Sequence, residues 1–433
     1  MAFNEEQFKD IISEFTVSTE RLQEIAAAFR QDMQLGLRDV TLSSMRMLKS
    51  YVGLPSGKET GEYLALDFGG TNIRVFKIRL DGNGEFEVVK KIARPLIVPG
   101  EYNYISKEST AEQMFDFIAE MIDELIEGNN TDKFYLGHTF SFPSRQDDIY
   151  NAQLIVWTKE FATQGVEGEV ANDLLAAALK RRGFGNVVPV AVLNDTVAVL
   201  LSAAYKNPDT FIGSIYATGH NTCYLEPSIQ DEKSFGKGGM ILNLECGNFM
   251  KLAPNRFDKE YDDSSEKPGE QRFEKMVSGR YMGELFGMAI AELVGEQGKN
   301  YNLTSVDMSM IILDESDNFE KASAILEEKV GRKFEHDDIA KIREIAAAIV
   351  VRSARLVAAS FVAIIWQRAG HDEIERQHIA VDGSVYEKMP LAKDNITSAL
   401  AELLGEDADK VDTVLDNGGS GLGAAIAAAM AVE

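Results

Sequence analysis

Leu64-Ala-Leu-Asp-Phe-Gly-Gly-Thr-Asn-Ile-Arg-Val-Phe-Lys-Ile78 is the stretch from which this chain can be read. An apolar run reaches Asp67. A polar turn follows at Gly69, Gly70, Thr71 and Asn72, and alternation resumes through Arg74, Phe76 and Ile78. That is the pattern of a strand, a tight turn and an antiparallel strand. Two adjacent glycines let backbone N–H groups approach a bulky anion with no Cβ in the way. Thr71 and Asn72 can add side-chain donors, and Asp67 can hold Mg²⁺ through water. The plainer reading of the same residues is an ordinary β-hairpin. No Gly-Lys-Ser/Thr follows, so the motif is not a P-loop. A strand rather than a helix follows the glycines, so it is not a dinucleotide fingerprint either.

At 433 residues the chain is too long for one core, and two domains are expected. A hydrophobic fraction of 45% can fill large cores. The net charge of −25 argues against a nucleic-acid or anionic-membrane surface. A nucleotide can still bind where donors and a metal are concentrated locally. Cys223 and Cys246 have no metal-ligand spacing and fit buried thiols in a reduced, cytoplasmic setting. The amino-terminal residues carry no secretion signal pattern. Residues 345–366 form the most apolar long segment, interrupted by Arg352 and Arg355, and read as a buried helix rather than a membrane span.

Along the chain, residues 5–52 have helical apolar spacing. Residues 63–98 read as strands with a second turn at 81–84. A helix over 112–127, a strand over 134–142, a helix over 172–182, a strand over 187–193 and a helix over 196–205 follow. Residues 211–226 repeat the strand-turn-strand idea, with the turn at Ala217 to Asn221. Polar residues 257–269 read as a loop, and residues 271–296 and 337–369 as two long helices. The end reads as a strand at 379–382, then Asp416-Asn-Gly-Gly-Ser-Gly-Leu-Gly423 opening an Ala-rich helix. The two glycine turns suggest two copies of one unit, each with a phosphate-holding turn.

Polar residues gather at the expected strand ends: Ser141 and Phe142, Thr158 and Lys159, Asn194 and Asp195, and later Asn221, Glu245 and Glu274. Amides, hydroxyls and carboxylates together suit a polyhydroxylated small molecule, whose hydroxyls both donate and accept. Each also has a plainer reading. Asn194-Asp195 is a good helix N-cap. Glu245 can be an edge-strand solubiliser, and Glu274 an exposed helix residue. The Gly-Gly-Ser-Gly-Leu-Gly run can be a closely packed helix start.

Taken in order, these segments resemble the hexokinase family of the eukaryotic type over nearly the whole chain. Leu64 to Val75 resembles its first phosphate motif, and Phe140-Ser-Phe-Pro143, Trp157-Thr-Lys159 and Gly165-Val-Glu-Gly168 its sugar segment. Leu193-Asn-Asp-Thr-Val197 resembles the catalytic-base segment, and Thr218-Gly-His-Asn221 the second phosphate motif. Glu245-Cys-Gly-Asn-Phe249 and Phe273-Glu-Lys-Met276 resemble the two glutamate segments. Val381 to Tyr386 and Gly419 to Ala425 resemble the nucleotide segments.

The resemblance implies an α/β fold, the two-domain actin-like ATPase (ribonuclease H-like) architecture with a deep inter-domain cleft. Residues 56–195 with 420–433 would form the small domain, and 1–55 with 196–419 the large one. It implies transfer of the ATP γ-phosphoryl group to the 6-hydroxyl of a hexose, with Asp195 as general base and Lys159 neutralising charge near the attacking oxygen. Ser141, Phe142, Thr158, Lys159, Asn194, Asp195, Asn221, Glu245 and Glu274 would contact the sugar. Asp67, Gly69, Gly70, Thr71, Asn72, Arg74, Thr218, Gly219, Asp382, Gly383, Ser384 and Ser420 would lie by the nucleotide. Mg²⁺ would arrive with ATP, without a direct protein ligand. The chain departs from the family at Leu422, where Lys or Arg is frequent, at Ala217, a usual Gly, and at Cys246, a frequent Trp; His220 occupies a variable position. A non-catalytic sugar sensor on the same fold, and an ATPase with a protein partner, are the alternative readings.

Overall fold

A computed structural model describes residues 3–158 and 160–432. The principal helices, in chain order, are α1 (Glu5–Glu14), α2 (Thr19–Arg38), α3 (Ala111–Ile126), α4 (Ala171–Arg181), α5 (Asp195–Lys206), α6 (Arg256–Ser264), α7 (Arg272–Val277), α8 (Gly279–Leu293), α9 (His336–Ala369) and α10 (Gly419–Val432). The principal strands are β1 (Thr60–Phe68), β2 (Asn72–Gly82), β3 (Glu85–Pro95), β4 (Phe134–Phe140), β5 (Val187–Leu193), β6 (Thr210–Tyr216), β7 (His220–Glu226), β8 (Met240–Asn243), β9 (Gln377–Asp382) and β10 (Val411–Leu415).

The opening stretch forms β1, the turn and β2, paired antiparallel with Asp67 opposite Arg74. Strand β4 runs parallel to β1 and β5 parallel to β4, which gives the order β3-β2-β1-β4-β5. Successive side chains of a strand face opposite sides, so the apolar run on β1 must be covered twice. Leu64, Leu66 and Phe68 pack with Met114, Ile118 and Ile122 of α3 and Leu175 and Leu179 of α4. Tyr63 and Ala65 belong to the other core, with Val197, Leu201 and Tyr205 of α5 and the alanine-rich face of α10.

The second sheet has the order β8-β7-β6-β9-β10, with the short strand Leu48–Lys49 outside β8. Both sheets therefore place three consecutive strands in reverse order, then the fourth and fifth. The internal echo of the two glycine turns is a repeat of topology. The chain divides into two compact units. One comprises Leu48–Ser214, Cys223–Asn243 and the chain from Asp416; the other comprises the chain up to Met47, Ile215–Thr222 and Leu244–Leu415.

Three sequence expectations change. Residues 5–52 are not one helical stretch: Asn4 caps α1, Ser18 caps α2, and a short helical turn and strand follow Arg38. Beyond α2, buried Asp32 accepts from the Ser44 N–H and pulls the chain back along the helix. Residues 257–269 are not a loop, because α6 occupies much of them. Asn255 and Asp258 form a capping box, and Phe257 stacks on Phe15 at 5.2 Å. Asp258 accepts both guanidinium N–H groups of the buried Arg352 on α9, at 2.8 and 2.9 Å. Residues 271–296 are not one helix either. The chain is extended at Ser278, and α8 begins by donating the Gly279 and Arg280 N–H groups to Ala217 O and Thr218 O. Helix α9, read as buried, has 83% of its most apolar window inside the protein.

Helix α10 approaches its neighbours through glycine. A Cβ on Gly137 of β4 would lie 1.8 Å from Ala424 O, and one on Gly423 would lie 2.0 Å from Ala198 O. Neither contact can relax by rotating a side chain. Gly423→Ala is therefore expected to destabilise the fold by about 1–3 kcal/mol through overpacking. Gly185→Ala, with nothing near its Cβ position, should stay within about 0.5 kcal/mol of wild type. Denaturant midpoints of the two variants check this; equal midpoints would show that α10 is less tightly seated.

Candidate active site

The parallel strands β1, β4 and β5 end side by side, with Asp67 aligned to Thr139 and Thr139 to Leu193. Strand carboxyl ends are where open α/β sheets collect ligands. Asp67 is buried, and Arg74 Nη1 donates to its Oδ2 at 2.9 Å. Burial pushes the Asp67 carboxyl above its ordinary value; the Arg74 hydrogen bond and charge and the Ser420 hydroxyl oppose this, and the Asp195 charge adds to it. Asp67, Arg74, Asp195 and Ser420 are thus one electrostatic cluster. Thr139 Oγ1 donates to Ser420 O at 2.8 Å and ties the start of α10 to this edge.

In the turn, Gly69 is required by close approach: an added Cβ would meet Asn72 O at 3.1 Å. Asn72 Nδ2 donates to Thr71 Oγ1, and Leu96 N–H donates to Thr71 O. The main-chain N–H groups of Gly69, Gly70 and Thr71 find no acceptor among the described residues. The hairpin reading is therefore correct for the backbone, and it leaves donors available for an anion.

Asn194 caps α5, accepting from the Thr196 N–H at 3.0 Å and from its hydroxyl at 2.7 Å. Asp195 begins the helix and is half-buried, with Oδ1 accepting from the Thr196 N–H at 2.8 Å. The N-cap reading and the functional reading coexist, since the cap fixes where Asp195 projects. Ser141 and Thr158 are half-buried in the same unit. Phe142 is buried at 4% exposure among Phe68, Trp157 and Phe161, so its ring anchors this segment. Lys159 lies outside the described residues.

The other unit holds the second cluster. Asn221 Nδ2 donates to Glu245 Oε1 at 3.2 Å, and its Oδ1 accepts from the Cys246 N–H at 3.3 Å. Glu274 Oε1 accepts from the His220 N–H at 3.3 Å. Glu245 is thus no edge-strand solubiliser, and Glu274 is no free helix-surface residue. Glu245 sits in the left-handed region (φ 51°, ψ 49°), a costly conformation for a residue with a Cβ. Gly219 and Gly247 make room for Glu274: added Cβ atoms would lie 2.8 Å from its Oε1 and 2.9 Å from its Cβ.

Gly383, at φ 131°, abuts Tyr216 O, where an added Cβ would lie 2.4 Å away. The structure therefore brings Gly383, between Asp382 and Ser384, to the Thr218–Gly219 turn. Sequence reading missed Gly247, Gly279 and the ring of His220. Their roles arise from neighbours distant in sequence, and only the break at Ser278-Gly279 left a local trace. Burial pushes the His220 imidazolium down to about 4, against the opposing Ile215 carbonyl. Burial likewise raises both thiols, Cys223 to about 12.

Two family models, each described as hexokinase, match residues 7–205 and 211–430. Hexokinase-1 of Schizosaccharomyces pombe is 34% identical over 452 residues, covering 98% of this chain and 91% of the relative. Hexokinase-2 of Candida albicans is 33% identical over 458 residues, covering 98% and 92%. A hexokinase crystal structure superposes with a TM-score of 0.87 at 33% identity, covering 99% of each chain. The hexokinase of Schistosoma mansoni complexed with glucose does so at 0.80 and 32%, covering 98% of this chain and 99% of the other. Shared sequence and superposable structure across the whole length, with both polar clusters in place, lead to one conclusion: the chain belongs to the hexokinase family, ATP-dependent sugar phosphotransferases of the two-domain actin-like fold.

Proposed function

We propose that this protein transfers the γ-phosphoryl group of ATP to the 6-hydroxyl of a hexose, glucose foremost, with fructose and mannose also accepted. The observation that carries this reading is the set of Asn221, Glu245 and Glu274, bonded to one another or to the main chain and held by a strained backbone. An ATPase acting on a protein partner has no use for such a polar set. Carboxylates accept strongly from sugar hydroxyls, and an amide both donates and accepts. Ser141, Thr158 and Asn194 complete the sugar contacts.

In this reading Asp195 takes the proton of the 6-hydroxyl. Lys159 neutralises charge at the attacking oxygen. The N–H groups around Gly69 to Thr71 and Thr218 to Gly219 hold phosphate oxygens; Asp382, Gly383, Ser384 and Ser420 lie toward the nucleotide. Mg²⁺, brought with ATP, would supply charge neutralisation on the phosphates, with Asp67 placed to hold it through water. A single buried carboxylate braced by Arg74 fits the water shell of Mg²⁺, which keeps waters and takes few protein ligands. Positioning and electrostatics supply most of the rate in such transfers. Two buried free thiols support a cytoplasmic location. The sensor reading is disfavoured because Asp195 and both phosphate turns are retained.

A coupled assay for ADP release over a panel of hexoses tests the proposal. Turnover must require sugar; sugar binding without turnover would support the sensor instead. Asp195→Ala is expected to lower kcat at least ~10²-fold, the usual size of a general-base effect, with sugar affinity kept within about tenfold. A near-normal kcat would remove Asp195 from that role. Glu274→Ala is expected to raise the sugar KM at least ~10-fold, the scale of a lost charge-assisted hydrogen bond. An unchanged KM would separate Glu274 from sugar binding.

A further inference from the structure

We propose that His220 is a positioning residue that sets the orientation of Glu274. The inference rests on Glu274 being a sugar ligand, as proposed above. His220 opens β7 directly after the Ala217–Gly219 turn and is 3% exposed. Its ring Nδ1 lies 3.0 Å from Ile215 O. A carbonyl oxygen can only accept, so Nδ1 carries the proton and Nε2 is left as a bare acceptor. That Nε2 is buried and has no hydrogen-bond partner. A buried acceptor without a donor is normally selected against. What the imidazole supplies here is its shape and its single donor, not a complete polar network.

The shape acts on Glu274. The imidazole meets Phe273 edge-on, with centroids 5.6 Å apart, and Phe273 immediately precedes Glu274 on α7. Phe273 is held from behind by Phe29 and Phe249. On its other side the imidazole meets Tyr216 at 5.7 Å. Tyr216 is in turn hydrogen-bonded to Ser353, and Ser353 donates to Val277 O at the end of α7. The His220 ring thus fixes the spacing between α7 and the start of β7. The same spacing lets the His220 main-chain N–H reach Glu274 Oε1. Every residue but proline has that N–H; the ring determines where it points.

The test is a double-mutant cycle between His220→Ala and Glu274→Ala, reading sugar KM, ATP KM, kcat and the unfolding midpoint. His220→Ala is expected to raise the sugar KM about tenfold and the ATP KM by less, since the ring packs on the residue before Glu274. In the Glu274→Ala background the same change should add less than about twofold, because coupled residues are not additive. His220→Phe, which keeps a ring between Phe273 and Tyr216, should recover most of the sugar affinity. His220→Leu, which fills space without a ring or a donor, takes the alanine variant's place in the cycle if that variant does not fold. Two effects that multiply independently, or a lowered midpoint with unchanged sugar KM, would overturn the proposal. Wild-type protein with no sugar-dependent turnover would instead overturn the phosphotransfer reading on which it rests.

Discussion

Backbone-to-backbone contact through glycine is the constraint on which the first polar cluster depends. Helix α10 lies so close to β4 and α5 that Gly137 and Gly423 have no room for a Cβ. This closeness lets Thr139 bond Ser420 O and delivers the start of α10 to the carboxyl edge of β1, β4 and β5. Asp67, Arg74, Asp195 and Ser420 then share one partly desolvated region. A helix N-terminus there adds a positive end to the Arg74 charge. Arg74 and the helix start are the positive elements of this cluster, beside the Asp67 and Asp195 carboxylates.

The second polar cluster depends on space rather than charge. Gly219 and Gly247 leave room for Glu274, and Gly383 reaches a backbone conformation that side chains rarely adopt. Glu245 is held in the left-handed region although it has a Cβ. Such conformations persist only where the surroundings over-determine them. Here the Asn221 side chain bonds both the Glu245 carboxylate and the following N–H. The break between α7 and α8 belongs to the same construction. It ends the helix carrying Glu274 and turns the first N–H groups of α8 onto the Ala217–Thr218 carbonyls.

Both clusters are built on one strand order used twice. In each sheet a hairpin turn stands beside the end of the fourth strand, and the phosphate-type turns fall at that place. The repeat was visible in the sequence only as two glycine turns, because everything else in the two copies has diverged. Leu422 illustrates the divergence within the family pattern: it is 4% exposed and belongs to the core between α10 and the first sheet.

What the sequence determined by itself was what has a local period or a local motif. The doubly covered strand 64–68, the Gly-Gly turn, the cap at Asn194 and the alanine-rich start of α10 are all encoded by neighbours within a few residues. The ordered motifs also named nearly every candidate ligand. Tertiary structure decided what depends on partners far along the chain. Helix α6 was misread as a loop because its stabilisers, Phe15 and Arg352, lie 242 and 94 residues from their partners Phe257 and Asp258. The break at Ser278 was missed because its acceptors are on a distant turn. Glu274 was named by its motif, but Gly219, Gly247 and His220, which surround it, come from other parts of the chain. Propensity and periodicity report local free-energy differences, whereas a site is fixed by contacts whose partners the sequence order does not reveal.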